Sequence, residues 1–291
     1  MNNASLKQSI AQVLADAGEP EPGKINLLPA SGGCINRAML VRTEPGQRYF
    51  LKHNAADCLA MFQAEAVALE ALAKAGEFRV PLVLGSGCCG DQSFLLLEFL
   101  DLQPLDSRLQ AEAGRALARM HRHTSNRHGW QQDNTIGSSP QYNAWSEHWP
   151  TFYLRQRLLP QLQRLTASGH GFDVEPAHLE AAVERLFIDC QPAPSLLHGD
   201  FWAGNVAACE GRPALFDPAS YYGDRETDLA MSELFGGFSA GFYQAYQTEW
   251  PLDSGYRQRR SLYQLYHLLN HANLFGGHYL QQAERSLRAL L

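Results

Sequence analysis

A chain of 291 residues with 45% hydrophobic residues can bury a sizeable core, as one large domain or two smaller ones, and wholesale disorder is excluded. The net charge of -6 comes without a basic run, which argues against nucleic acid as a partner. No apolar run approaches a membrane span, the amphipathic start MNNASLKQSIAQVLADAGE lacks a signal-peptide core, and the six cysteines (Cys34, Cys58, Cys88, Cys89, Cys190, Cys209) show no metal-binding spacing. The expected setting is a reducing cytoplasm, with free thiols and no membrane.

Leu6, Ile10, Val13 and Leu14 mark one face of an opening helix, ended by Ala17-Gly18 and the EPEPG turn. Two strand-like runs in INLLPASGGCINRAMLV flank Ser31-Gly32-Gly33-Cys34, and after the turn Glu44-Pro45-Gly46-Gln47 the run RYFLK reads as a strand ending at Lys52. Glycines at such a tip let backbone N–H groups approach a phosphate closely. Taken alone, the tip fits a plain hairpin turn better. Lys52 changes that balance, because it lies on the next strand, from which a lysine reaches nucleotide phosphates in phosphoryl-transfer enzymes. A helix over residues 57–76 follows, with Phe62, Leu69 and Leu72 on one face. Glu65 falls inside that apolar stripe, where a carboxylate is costly unless a cation meets it; Lys52 is the evident cation. Glu70, four residues before Lys74, reads as a solvated surface pair. After VPLVLGSG and the CCGDQ turn, SFLLLEFL is a buried strand leading to a hinge. There the backbone groups of Glu98, Phe99 and Leu100 are placed to hydrogen-bond an adenine ring. DLQPLD then breaks the periodicity, which divides the chain into a nucleotide-binding lobe, 1–102, and a catalytic and substrate-binding lobe, 103–291.

From Asp106 the pattern is helical, with the stripe Leu109, Ala113, Ala116, Leu117 and Met120. His121, His123 and His128 fit no common zinc spacing and read as helix-end and surface residues. The segment Asp133 to Gly137 reads as a loop before an aromatic helix, YNAWSEHWPTFYLRQRLLPQL, whose Trp145, Trp149, Phe152 and Leu159 are expected in the core. A helix over 175–187 delivers the chain to LLHGDFWAGNVAACEGRPALFDPA, residues 196–219. Here Asp200 and Asn205 stand five apart, the Asp-to-Asn interval of a phosphoryl-transfer loop, and Asp217 ends the next hydrophobic run. Phosphoryl transfer asks for a carboxylate to deprotonate the acceptor hydroxyl and hard oxygens for Mg²⁺. Asp200 fits the first task; Asn205 and Asp217 fit the second. By itself the stretch reads equally as an ordinary polar loop, and Lys52 with Glu65 decides for a kinase. Beyond it, Asp228 reads as a helix N-cap or as a carboxylate holding the catalytic loop from behind. In the last helical segment, SLYQLYHLLNHANLFGGHYL, Asn270 and His271 interrupt the apolar pattern and read first as satisfied core polar groups, second as cleft residues.

Taken together, SGGCINRA, DNTIGSSPQ with the following Asn and Trp, FYLRQRLLPQ, LLHGDFWAGN, DPASYYGDRETDLAM and LYHLLNHANLFGGHY resemble the fructosamine kinase (ketosamine-3-kinase) family, within the aminoglycoside and choline kinase type of protein-kinase-like phosphotransferases. The HGD…N…D core is shared across that superfamily; Trp202, YYGDRE and LNHANLFGG narrow it. The resemblance implies an α+β, bilobal protein-kinase-like fold, with a small β-rich N-lobe and a larger, mainly helical C-lobe, and ATP and Mg²⁺ in the cleft. It implies phosphorylation of the sugar 3-hydroxyl of a ketosamine, free or protein-linked, whose product then releases the amine: deglycation, a protein-repair activity. Residue by residue, Asp200 becomes the base, Asn205 and Asp217 the Mg²⁺ ligands, Ser31, Gly32, Gly33 and Lys52 the phosphate site with Glu65 as the lysine's partner. Trp202 becomes a wall for the sugar, and Asp224, Glu226 and His271 substrate candidates. Cys34 matches a loop cysteine associated with redox sensitivity, so a monomer or a Cys34-linked dimer is expected. FDP stands in place of DFG, and with no activation-loop equivalent regulation by loop phosphorylation is not expected. Two competing readings keep the fold: a kinase for an aminoglycoside, choline or another amino alcohol, and a non-catalytic ATP-binding or glycated-protein-binding module.

Overall fold

The computed structural model describes residues 3–30 and 35–291, so the expected phosphate tip, Ser31, Gly32 and Gly33, and the redox candidate Cys34 lie outside the described residues. The chain forms two compact units, residues 1–104 with 208–216 and residues 105–207 with 217–291.

The first unit is built on a five-stranded antiparallel sheet. Its strands β1 (Asn26–Ala30), β2 (Arg37–Arg42), β3 (Arg48–Ala55), β4 (Val83–Cys89) and β5 (Gln92–Glu98) lie in the order β1-β2-β3-β5-β4. Leu6, Ile10 and Leu14 of helix α1 (Asn3–Asp16) bury themselves with Val41, Tyr49, Leu51, Phe94 and Leu96. Side chains alternate along a strand, so Tyr49 and Leu51 enter that core while Phe50 and Lys52 point to the other face. The third strand does not end at Lys52. It continues to Ala55, because Asn54 and Ala55 still find ladder partners in Ser93 and Gln92. Helix α2 (Leu59–Ala75) buries Phe62, Leu69 and Leu72, and Gly76 closes it at φ 77°, a left-handed turn that glycine enters without steric cost.

The second unit is mainly helical. Helix α3 (Ser107–Met120) starts at Asp106, whose side chain accepts the Leu109 N–H at 2.7 Å. The segment read as a loop forms a hairpin, β6 (Asn134–Ile136) and β7 (Ser139–Gln141). The aromatic helix begins only at Trp149, with Pro150 in its first turn, the position that tolerates a missing N–H. It runs as α4 (Trp149–Tyr153), a π-helical turn (Leu154–Leu158) and α5 (Leu159–Ala167). Trp145 precedes that helix and is 38% exposed rather than in the core, and Leu159 is half-buried with Leu158 in its place at 0%. Helix α6 (Pro176–Arg185) leads to the short strand β8 (Ser195–Leu196). A hairpin follows, β9 (Val206–Cys209) and β10 (Arg212–Leu215), then strand β11 (Tyr222–Gly223), which pairs with β8. Helices α7 (Glu226–Leu234), α8 (Ala240–Glu249), α9 (Tyr256–Phe275) and α10 (His278–Leu290) complete the unit. The last segment, read as one helix, is two, because Gly276 and Gly277 take φ 61° and 59°.

The excursion 208–216 belongs to the first unit through backbone pairing. Ala208 exchanges bonds with Gln103 at 2.7 and 2.8 Å, and Arg79 donates to Pro213 O at 2.9 Å and accepts from Leu215 at 2.8 Å. Among the described residues no helix is long and apolar enough to cross a membrane, and Cys58, Cys88, Cys89, Cys190 and Cys209 are free thiols.

Candidate active site

In the first unit, Lys52 is 7% exposed and ion-paired with Glu65 of α2. The strand places the ammonium on the face opposite the α1 core, and the helix brings the carboxylate to it. A largely buried pair of this kind restrains the cation, since the two side chains, 9% and 11% exposed, have little contact with water. Glu98, Phe99 and Leu100 line a recess of about 330 Å³ with Arg48, Asp101, Gln103, Cys209 and Glu210. The Glu98 N–H already donates to Leu82 O at 2.8 Å, and its carboxylate pairs with Arg79 and accepts the Leu82 N–H. An adenine contact from this stretch would therefore not use the Glu98 N–H.

In the second unit, strand β8 opens into the loop His198–Asn205. Gly199 sits at φ 84°, and a Cβ there would lie 2.0 Å from Ala219 O, so only glycine lets the loop pass this close to the chain that follows Asp217. Asp228 grips the loop from behind: its Oδ2 accepts the His198 N–H at 2.7 Å and its Oδ1 the Gly199 N–H at 2.9 Å. Arg225, not Asp228, is the N-cap of α7, so the carboxylate stands within the first turn and the N-cap reading is corrected.

Behind Asp228 lies His121, with Nε2 3.2 Å from Oδ2 and Nδ1 2.9 Å from the Tyr246 hydroxyl, which Arg225 Nη1 reaches at 3.2 Å. The polarity of this chain follows from its ends. Arg225 can only donate and the carboxylate only accept, so Tyr246 donates to Nδ1 and His121 carries its proton on Nε2. Burial holds the imidazole below its usual pKa and hence neutral. Burial pushes Asp228 up, but the hydrogen bonds from His121 and the Gly199 N–H outweigh it and keep the carboxyl below the usual range. His121 at 0% exposure and His128 at 3% are corrections to the surface reading of these histidines. The signal was present: His121 lies four residues after Leu117, on the buried stripe of α3.

Asn205 Nδ2 donates to Asp200 O at 2.9 Å and to its Oδ2 at 3.1 Å. Burial raises the Asp200 carboxyl to about 7, the charges of Asp217 and Asp228 add to the rise, and the Asn205 hydrogen bond opposes it. Asp217 follows β10 at φ 57°, a left-handed conformation uncommon outside glycine. The donor set fits magnesium. Asn205 uses its amide nitrogen on Asp200, which leaves its oxygen for a hard cation, and Asp217 adds a carboxylate. Mg²⁺ is typically held by one or two protein oxygens, with phosphates and water completing the octahedron. Among the described residues no group of three or more His, Cys, Asp or Glu could hold a metal, so softer, all-protein metal sites find no ligands there.

The fructosamine kinase family model matches residues 6–291. The chain belongs to that family. It is 43% identical over 294 residues to a probable ketoamine kinase of Synechocystis sp., covering 100% of this chain and 99% of the relative. It is 42% identical over 259 residues to the chloroplastic protein-ribulosamine 3-kinase of Arabidopsis thaliana, covering 87% and 78%. A crystal structure of a candidate fructosamine-3-kinase from Haemophilus somnus superposes with a TM-score of 0.91 at 32% identity, covering 98% of this chain and 97% of the other. The fold is thus the α+β, protein-kinase-like fold of this family, with the β-rich and helical units described above.

In this fructosamine kinase family member Trp202, two residues after Asp200, is 37% exposed. A Cβ on Gly204 would lie 2.3 Å from the far edge of its indole, so the ring lies directly over that glycine. Gly204→Ala is expected to tilt Trp202 off the loop and raise KM for the acceptor about tenfold, by on the order of 1–2 kcal/mol of lost ring contact, with KM for ATP unchanged; steady-state kinetics against both substrates checks this. Asp224 and Glu226, expected near the substrate's amine, are 4% and 3% exposed. Tyr263 donates to Asp224, and Arg259 Nε and Nη2 both donate to Glu226 at 2.8 Å. Their hydrogen bonding is met inside the unit, which gives them a structural task. His271 is half-buried, its Nδ1 donating to His267 O at 2.8 Å and its ring 4.6 Å from Phe235 and 5.0 Å from Tyr279. Asn270 is a core polar group, accepting from Gln161 at 3.4 Å.

Proposed function

We propose that the protein is an ATP-dependent ketosamine 3-kinase acting in deglycation. The observation that carries this reading is Asp200: a partly exposed carboxylate of raised basicity, oriented by Asn205 in a loop that Asp228 pins from behind. In this reading Asp200 accepts the proton of the sugar 3-hydroxyl as that oxygen attacks the terminal phosphorus of ATP, whose bond to the bridging oxygen breaks so that ADP leaves. A base whose pKa lies near the working pH is the effective choice for such a transfer. Lys52 binds the phosphates of ATP, in the one orientation that Glu65 allows. Asn205 and Asp217 would hold Mg²⁺, which when bound neutralises charge building on the phosphate oxygens. Trp202 lies against the sugar, and the amine portion of the ketosamine extends past it.

Similarity to the plant protein-ribulosamine 3-kinase favours a ribulosamine over a fructosamine as acceptor. The same reading carries a cytoplasmic enzyme, working as a monomer or, once oxidised, as a Cys34-linked dimer. An acceptor panel tests the function. Purified protein with Mg-ATP should transfer phosphate to a ribulosamine, an erythrulosamine or a fructosamine, and not to an aminoglycoside or choline. Turnover of an aminoglycoside or choline alone would overturn the substrate assignment. Nucleotide binding by thermal shift without transfer to any acceptor would overturn catalysis itself.

A further inference from the structure

Two backbone carbonyls just past Asp217 are held by side-chain amides from the β6–β7 hairpin. Gln141 Nε2 donates to Ala219 O at 3.0 Å, and Asn134 Nδ2 donates to Ser220 O at 2.9 Å. The same two side chains are locked to each other, Gln141 Nε2 to Asn134 Oδ1 at 2.8 Å. Asn143 Nδ2 also donates to that oxygen at 2.9 Å, and Tyr266 OH donates to Gln141 Oε1 at 2.8 Å. Asn143 in turn accepts from Arg157 Nη2 at 2.7 Å. Each oxygen and nitrogen of the Gln141 and Asn134 amides has a partner, so neither can flip without breaking a buried bond.

Arg157 sits in the π-helical turn of the aromatic helix at 0% exposure, its guanidinium 3.9 Å from the centre of the Tyr221 ring. Its contacts are carbonyls, the Asn143 amide and aromatic faces, with no carboxylate within ion-pair distance among the described residues. A buried charge so placed is expensive, and π-helical turns within α-helices are frequent at functional sites. What the guanidinium holds is the network's outer end and the ring next to Ser220.

The segment between is fixed from its other side as well. Ala219 N donates to His198 O at 2.9 Å and Leu197 N to Tyr221 O at 3.0 Å, so residues 219–221 are clamped between the catalytic loop and the hairpin. A non-glycine residue at φ 57°, as Asp217 is, persists where the surroundings over-determine it.

We propose that Asn134, Gln141 and Arg157 are positioning residues for the metal carboxylate: by holding the 219–221 backbone they set the direction in which Asp217 presents its oxygens to the nucleotide-bound cation. This rests on the reading of Asp217 as a magnesium ligand. It assigns a task to DNTIGSSPQ and FYLRQR, two segments to which the proposed chemistry gives none. Groups that orient a metal ligand typically matter by about 10–100-fold in metal affinity.

Mn²⁺ binding to the full chain with saturating ADP, followed by electron paramagnetic resonance of the unbound ion, separates the cases without turnover. Gln141→Met keeps the side-chain shape and deletes the donor to Ala219 O; Gln141→Glu keeps the acceptor for Tyr266 and deletes the same donor. Either folded variant should bind Mn²⁺ about tenfold more weakly, with KM for the ketosamine unchanged. Asn273→Ala, which removes a half-buried amide donating to Gln161 at 2.8 Å in the same unit, should loosen the fold and leave Mn²⁺ affinity within twofold of wild type. Mn²⁺ affinity unchanged in Gln141→Met and Gln141→Glu, but lost in Asp217→Ala, overturns the positioning role alone. Equal weakening by Asn273→Ala overturns it too, as general loosening. Wild-type affinity in Asp217→Ala overturns the metal reading on which the inference stands.

Discussion

Asp200→Asn is expected to lower kcat by roughly 10²–10⁴, the usual worth of a positioned general base, with KM for ATP little changed. Asparagine has the same shape and still offers an oxygen to Asn205 Nδ2, now 3.1 Å from the carboxylate, so the loop should keep its course. What is lost is the proton acceptor. A coupled assay with Mg-ATP and a ribulosamine reads the loss, and turnover equal to wild type would sink the mechanism. The pH behaviour adds a second signature. With its carboxyl at about 7, raised by burial first and by Asp217 and Asp228 next, Asp200 is protonated in acid and kcat should climb as pH rises; a divalent cation nearby shifts that limb to lower pH. Stability runs the other way. A carboxyl whose folded pKa lies above its unfolded value of 3.8 contributes stability below pH 4 that is lost as pH rises towards 7. Above pH 7 the wild type therefore carries a poorly solvated charge that Asp200→Asn does not. The inactive variant should melt a few degrees higher there, and the gap should close in acid.

Lys52→Met is expected to reduce kcat/KM by about 10²–10³, in line with removing one preorganised charge donor from a transition state. It should also cost about 3–5 kcal/mol of stability, because Glu65, with a side chain only 11% exposed, loses its ion pair with Lys52. The two losses separate in a double variant. Lys52→Met with Glu65→Leu replaces the buried pair by apolar groups, which is often neutral or stabilising. Urea unfolding should show stability restored while activity stays down. Activity restored along with stability would mean that Lys52 serves the fold rather than the nucleotide.

Periodicity carried much of the architecture. In the first unit the helices follow from 3- and 4-residue spacing, whereas β5, buried on both faces from Ser93 to Leu97, follows from a continuous apolar run. Glu65 was legible for the same reason: a carboxylate on an apolar stripe demands a cation, and the nearest preceding strand offered one. Local pattern failed where burial was polar. His121 and His128 were read as surface because polar residues usually are, yet both are buried, the first as the support of Asp228. Asn134, Gln141 and Asn143 look like a loop, and Arg157 like one charge among others in a helix, until the fold closes them over residues 219–221. Asp224 and Glu226 erred in the opposite sense, since a run of acids near a site reads as accessible until Arg259 and Tyr263 are found against it.

The residue types and their spacing by themselves supplied the candidates for the proposed chemistry: the Asp200 carboxylate, the oxygens of Asn205 and Asp217, a lysine with its carboxylate, and a tryptophan two residues after Asp200. Those assignments rest on what each side chain can do, and that does not change with folding. Only the tertiary structure decided which polar groups face inward and what each one holds. A buried hydrogen bond joins residues dozens to more than a hundred positions apart, as Gln141 joins Ala219 and His121 joins Asp228, and its partner is fixed by where the chain is brought, which no local periodicity encodes.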